Sequence, residues 1–275
     1  MAVTTIRHTL PCTKCSYDLE GLEARGACPE CGTAIVESLT ARLDAATARF
    51  ESMPNPRRVA ATVLLGSIGA LGGSCIFLAL MLDFVAASAM LPQLRLAIEP
   101  LRIAALLSTA IGFLGFAAAL PWRRESRFVR AKIFGTVGFL AWMAAAVVQV
   151  DGVSTTYCAL PATLILFGIA PLLRALAPRS RAYRNARATA QRVEGLLLSN
   201  GLAGGASATA LFLADSPGLS AATGILRAIA LAAAALTVVG FGYLVLNASW
   251  LMRASLRPLL SVEETFGTTD HREPE

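Results

Sequence analysis

The chain has 275 residues, of which 55% are hydrophobic and only 15% charged, with a formal net charge of +6. A soluble domain carries about 25% charged residues, so this composition excludes an ordinary soluble fold over most of the length. The positive balance fits nucleic acid, a membrane surface or topology signals in loops, and the placement of the charges decides between them.

The first residues, from Met1 to His8, contain no apolar stretch of the kind a secretory leader needs. The N-terminus is therefore expected to stay in the reducing cytosol. Residues 1–32 are polar and rich in turn formers, and they hold four of the six cysteines: Cys12, Cys15, Cys28 and Cys31. Two C-x-x-C units in a short polar stretch predict a metal site rather than a disulfide framework. Each C-x-x-C turn can aim two sulfurs at one ion, and zinc takes four such ligands in a tetrahedron. Gly32 follows the second pair and permits positive φ, whereas Ser16 takes that place after the first pair. Structural zinc supplies roughly 10–16 kcal/mol of apparent binding energy, enough to fold a piece too small to hold itself together.

Leu10-Pro-Cys12-Thr-Lys-Cys15-Ser-Tyr17-Asp18-Leu19-Glu-Gly21-Leu22, followed by Gly26-Ala-Cys28-Pro29-Glu30-Cys31-Gly32, resembles the N-terminal zinc ribbon of bacterial multi-pass membrane proteins. The resemblance covers residues 10–32 only, with Tyr17-Asp18-Leu19 and Gly21-Leu22 matching the connecting hairpin. Ser16 and Glu20 depart from the usual glycine and basic residue. The resemblance implies a structural zinc site with Cys12, Cys15, Cys28 and Cys31 as ligands, and it leaves the membrane part unassigned. Iron in a rubredoxin-like site is the rival for the metal, but no second redox centre or flavin motif accompanies it. Nucleic-acid binding is disfavoured too, because residues 1–32 set Arg7, Lys14 and Arg25 against Asp18, Glu20, Glu23 and Glu30.

Residues 33–56 are expected to form a helix that stops at Pro54-Asn55-Pro56. Val36, Leu39, Leu43, Ala46, Phe50 and Met53 recur at spacings of three and four. The stripe is too short for a secure coiled coil. A helix packed on the ribbon or lying on the membrane is expected, with an oligomer as the rival.

Six charge-free stretches follow, at 59–82, 103–121, 133–150, 152–173, 195–214 and 228–252, each of 18 to 25 residues. A helix needs roughly 20 apolar residues to cross ~30 Å of hydrocarbon. The expected fold class is therefore an all-α polytopic bundle of six transmembrane helices, with the third stretch marginal. Arg57 and Arg58 precede the first stretch. Arg123, Arg124, Arg127, Arg130 and Lys132 separate the second from the third, and Arg179, Arg181, Arg184, Arg187 and Arg192 the fourth from the fifth. Arg253 and Arg257 follow the sixth, while the alternate loops carry only Arg95, Arg102 and Arg227. Lys and Arg collect on the cytoplasmic side, so both termini are expected in the cytosol of a bacterial cell, with the bundle in its cytoplasmic membrane. Arg181, Arg184 and Arg187 make a basic stripe beside the bilayer, read first as topology charge and second as a lipid-headgroup contact.

Within the stretches the notable polar residues are Gln149, Asn200 and Asn247, with Arg174 near the end of the fourth. No acid or histidine sits at mid-stretch, which argues against ion-coupled pumping. Pro161 and Pro171 are positions for a kink. Gly69-x-x-x-Gly73 and Gly201-x-x-x-Gly205 are expected to let helices approach closely. They also suggest a repeated hairpin, although Ala/Leu/Gly-rich composition explains such a match as well. Cys75 and Cys158 are expected to act as small apolar residues. Nucleotide-binding, zinc-protease and serine-hydrolase motifs are lacking.

The domain reading is a zinc ribbon at 1–32, a juxtamembrane helix and linker at 33–56, a transmembrane domain at 57–257 and a disordered tail at 258–275. The functional expectation is a non-enzymatic membrane protein, with zinc as a structural cofactor. Its partners are the lipid bilayer and a cytosolic protein held through the ribbon, with a homo-oligomer as a further possibility. A permease or channel for a small solute, regulated through the ribbon, is the alternative.

Overall fold

The computed structural model describes residues 5–42, 53, 55–88, 92–120, 126–147, 154–186, 190–214, 216 and 218–256. The chain divides into two compact units. Residues 5–42 belong to the first, and Pro54–Ser255 forms the second. The described residues are mostly helical and contain no strand, only three isolated antiparallel bridges.

The first unit folds around a small apolar core made by Ile6, Leu10, Leu19, Ile35 and Leu39 together with Cys12 and Cys28. Its only helix among the described residues is α1, Ile35–Arg42. Ile35 and Leu39 lie one turn apart and face the core, whereas Val36 is 48% exposed. The helix therefore packs on the ribbon, but on a face rotated from the predicted stripe. The reason is local: the chain enters α1 directly from the second cysteine pair, so the first helical residue is already over the core. Leu43, Ala46 and Phe50, the next members of that stripe, lie outside the described residues.

Near the start of the second unit, Asn55 has a φ of +51° and its carbonyl accepts from the amides of Arg58 and Val59. There α2 starts and runs through Pro56–Ser88. It is followed by α3 (Pro92–Leu114), α4 (Ser126–Val147), α5 (Ser154–Leu176), the short α6 (Arg181–Asn185), α7 (Val193–Phe212) and α8 (Ser220–Leu256). Each predicted stretch has its described residues mostly on a helix, and four helices among the described residues are long and apolar enough to cross a membrane: Pro56–Ala79, Ala159–Arg179, Val193–Phe212 and Ser220–Leu256. Several apolar helices are therefore present, four of them of spanning length among the described residues. The second stretch yields a shorter apolar helix, Ile103–Ala119. The third lies on α4, which includes Arg127, Arg130 and Lys132 as well as apolar residues.

Close fit between small residues and large rings is what lets apolar helices of this kind approach one another. Here glycine notches and aromatic rings provide that fit. Gly69 of α2 faces Gly112 of α3 so closely that a Cβ on Gly69 would meet Gly112 Cα at 2.6 Å. Phe139 of α4 lies against both, Phe116 lies against Gly66 and Gly135, and Trp142 covers Gly73. The three rings form a ladder with centroids 6.0 Å apart for Phe116–Phe139 and 6.3 Å for Phe139–Trp142, and all three are fully buried. Phe116 sits on a π-turn, Gly115–Ala119, that ends α3. Gly115 O accepts from Leu120 N at 3.3 Å and from Thr62 Oγ1 of α2 at 3.2 Å, and Lys132 Nζ donates to Leu120 O.

The two glycine pairs therefore part company. Gly69 and Gly73 are packing sites as expected, but a Cβ on Gly201 or Gly205 would meet nothing within 4 Å. On α7 it is Gly204 that packs, against Ala159 of α5, so the sequence match between these runs is not kept in their surroundings. The buried Asn200 donates to Ala159 O at 2.8 Å and to Thr163 Oγ1 at 2.9 Å, and Thr237 of α8 donates to Ser199 of α7. Arg174 pairs with Glu194 at 3.2 Å across α5 and α7. Helix α5 continues through both Pro161 and Pro171. Cys75 is half-buried, while Gln149, the side chain of Cys158 and residues 258–275 lie outside the described set.

Candidate metal centre

The ribbon is one small motif used twice. In the first knuckle, Cys12 N donates to Tyr17 O at 2.7 Å, Ser16 N to Cys12 O at 3.0 Å and Leu19 N to Leu10 O at 2.9 Å. Sixteen residues later the same bonds recur: Cys28 N to Thr33 O at 2.8 Å, Gly32 N to Cys28 O at 2.9 Å and Ile35 N to Gly26 O at 3.0 Å. The bridges Pro11↔Asp18 and Ala27↔Ala34 close the two turns in the same way. Between them, Gly21 N donates to Ile6 O and Ile6 N to Leu22 O, with Gly21 at φ +79°. The Asp18 carboxylate joins the two sides of this hairpin by accepting from Leu10 N at 3.0 Å and Glu20 N at 3.1 Å.

Both knuckles turn on a left-handed residue after the second cysteine, with φ +65° at Ser16 and +70° at Gly32. Glycine adopts this conformation freely, whereas another residue gives up roughly 1–2 kcal/mol. Ser16 thus takes the glycine's conformation without a glycine's freedom.

The result is a tetrad of sulfurs. Cys12 Sγ lies 3.6 Å from Cys31 Sγ and Cys15 Sγ lies 3.6 Å from Cys28 Sγ. All four lie within 4.8 Å of one another. A disulfide needs ~2.05 Å, and the cysteines are free thiols. A tetrahedron with metal–sulfur bonds of ~2.3 Å has edges of ~3.8 Å, close to the shorter separations seen. These four cysteines could therefore hold a metal ion, and they are the one such group among the described residues.

Electrostatics points the same way. The amides of Cys15 and Lys14 lower the Cys12 thiol from its ordinary value. The Thr33 hydroxyl, hydrogen-bonded with Cys31 Sγ at 3.2 Å, and the Thr33 amide bring Cys31 down to about 6. At Cys15 the Tyr17 amide acts to lower the pKa, but burial and the crowd of Cys31, Cys28 and Cys12 outweigh it and push the thiol up to about 12. Sulfurs this close cannot all ionise beside one another, and a bound cation removes that conflict. Burial is uneven: Cys12 and Cys28 are buried, Cys31 is partly so and Cys15 is exposed.

All four predicted ligands are brought together. Two further residues carry weight that sequence reading missed. Thr33 sits two residues after Cys31, a local position that could have been noticed. Ser38 of α1 is fully buried and accepts from Thr13 N at 3.2 Å; it lies 25 residues from Thr13, so no local pattern announces the contact. Comparison with family models, with curated proteins and with solved structures gives no match.

Proposed function

We propose that the four cysteines hold a structural zinc ion, and that it folds a cytosolic ribbon whose work is contact with another protein rather than catalysis. The observation that carries this reading is the closed donor set. Four sulfurs satisfy a tetrahedral ion and leave no position for water or substrate, which is the habit of structural rather than catalytic zinc. The apolar helices of the second unit are compatible with membrane insertion. We extend that to six crossings in a bacterial cytoplasmic membrane with both termini inside. Support comes from the mostly helical state of the described residues in all six apolar stretches and from the alternation of arginine between loops.

The test uses the full chain purified in mild detergent. One zinc ion per chain is expected, lost in a Cys28→Ser/Cys31→Ser variant. Proteins that co-purify with the wild type are compared with those of the variant. A zinc content unchanged by the substitutions refutes the metal, and an identical set of co-purifying proteins refutes the contact role. Zinc-dependent solute flux in proteoliposomes would favour a permease instead. Reporter fusions after Arg58 and in the 214–220 loop test the orientation, with opposite sides expected.

A further inference from the structure

The two knuckles match bond for bond, so their one mismatch stands out. In the second, the residue after the first cysteine is Pro29, which has no N–H to satisfy and whose ring fixes φ. In the first, the corresponding residue is Thr13, whose N–H would be left without an acceptor inside the turn. Ser38 supplies the acceptor from outside: its Oγ accepts from Thr13 N at 3.2 Å and lies 3.4 Å from Thr13 Oγ1. Ser38 is fully buried, and Ile35 and Leu39 beside it are buried in the ribbon core. The second knuckle is complete within itself: Pro29 fixes its backbone, Gly32 takes the left-handed position without strain and Thr33 bonds with Cys31. The first has Ser16 in a left-handed conformation and an exposed Cys15, and it depends on α1.

We propose that Ser38 is a positioning residue for the metal site and that α1 is a metal-linked clamp. Docking of α1 organises the Cys12–Cys15 turn, and metal held by that turn keeps α1 docked. The two events share one coupling free energy, so each strengthens the other by the same factor. This inference rests on the metal reading above.

The experiment measures zinc affinity of the full chain in detergent by competition with a chromophoric chelator. It follows amide exchange of residues 35–42 with and without zinc. Loss of an outer-sphere partner weakens metal sites about 10–100-fold. Ser38 acts through the backbone of the turn, so Ser38→Ala is expected near the lower end, about tenfold. A Val36→Ser variant, altered at an exposed position of the same helix, is expected to bind as the wild type does. The rescue is Thr13→Pro in the Ser38→Ala background, which gives the first turn the proline of the second and removes the N–H that Ser38 serves. It is expected to recover most of the lost affinity. Zinc removal from the wild type is expected to raise exchange throughout α1. A wild type that binds no zinc defeats the metal reading itself. A wild type that binds zinc with Ser38→Ala unchanged, a Thr13→Pro/Ser38→Ala variant no tighter than Ser38→Ala, or an α1 indifferent to zinc defeats the clamp alone.

Discussion

Exchanging the residues at the two left-handed positions tests whether the knuckles are truly equivalent. Ser16 is held at φ +65° by bonds on both sides, since its own N–H donates to Cys12 O and the next residue's carbonyl accepts from Cys12 N. The backbone cannot relax without breaking the turn. A non-glycine residue in this conformation gives up roughly 1–2 kcal/mol, and glycine's greater freedom in the unfolded chain takes back about 0.5–1 kcal/mol. Ser16→Gly should therefore gain about 0.5–1 kcal/mol, a roughly two- to fivefold tighter apparent zinc affinity where metal binding and folding are linked. Gly32→Ser should lose about the same. At Gly32 a Cβ would meet nothing within 4 Å, so the penalty there is one of backbone conformation and not of crowding. Chelator competition on the full chain measures both. A Ser16→Gly protein that binds zinc no better than the wild type, or a Gly32→Ser protein that matches it, would refute the argument from φ.

Cys12 and Cys31 are both lowered, Cys31 to about 6. Groups depressed on folding favour the folded, metal-ready state above their ordinary value of 9.0, and that advantage fades as pH falls through the folded value. Cys15, pushed up to about 12, acts in the opposite direction. Zinc retention should decline as pH falls, because protons compete with the ion for the thiolates, and Thr33→Val, which removes the hydroxyl that lowers Cys31, should move the decline to higher pH in a zinc-release titration. Gly69→Leu would drive a side chain into Gly112 and Phe139, costing typically 1–3 kcal/mol. Gly201→Leu, in open surroundings, should leave thermal unfolding in detergent unchanged. Asn200→Leu removes both bonds to α5 and should cost about 0.6–1.7 kcal/mol by the same assay, while a loss beyond 3 kcal/mol would mean the amide does more than join two helices.

The cysteine tetrad was legible because its chemistry is local. A C-x-x-C turn sets two sulfurs within reach of one ion, and only their pairing across the hairpin needs the fold. The helices were legible for a similar reason, since an unbroken apolar run of about 20 residues has few alternatives to a buried or lipid-facing helix. Their bounds were less so. The helical state of Arg127, Arg130 and Lys132 in α4 cannot be read from the apolar stretch that starts at 133, because arginine and lysine are good helix formers and let the helix include residues upstream of the apolar run.

The sequence by itself determined the cysteine quartet, the polar head and the succession of apolar helices, because each follows from composition and spacing within one segment. Only the tertiary structure decided which glycines matter. Gly69 and Gly201 look alike in the chain, yet one lies against Gly112 and the other faces open space. It alone set Ile35 rather than Val36 over the core beside Leu39 and brought Ser38 to Thr13. Close packing and satisfied buried hydrogen bonds are relations between distant segments, and no property of a single segment encodes them.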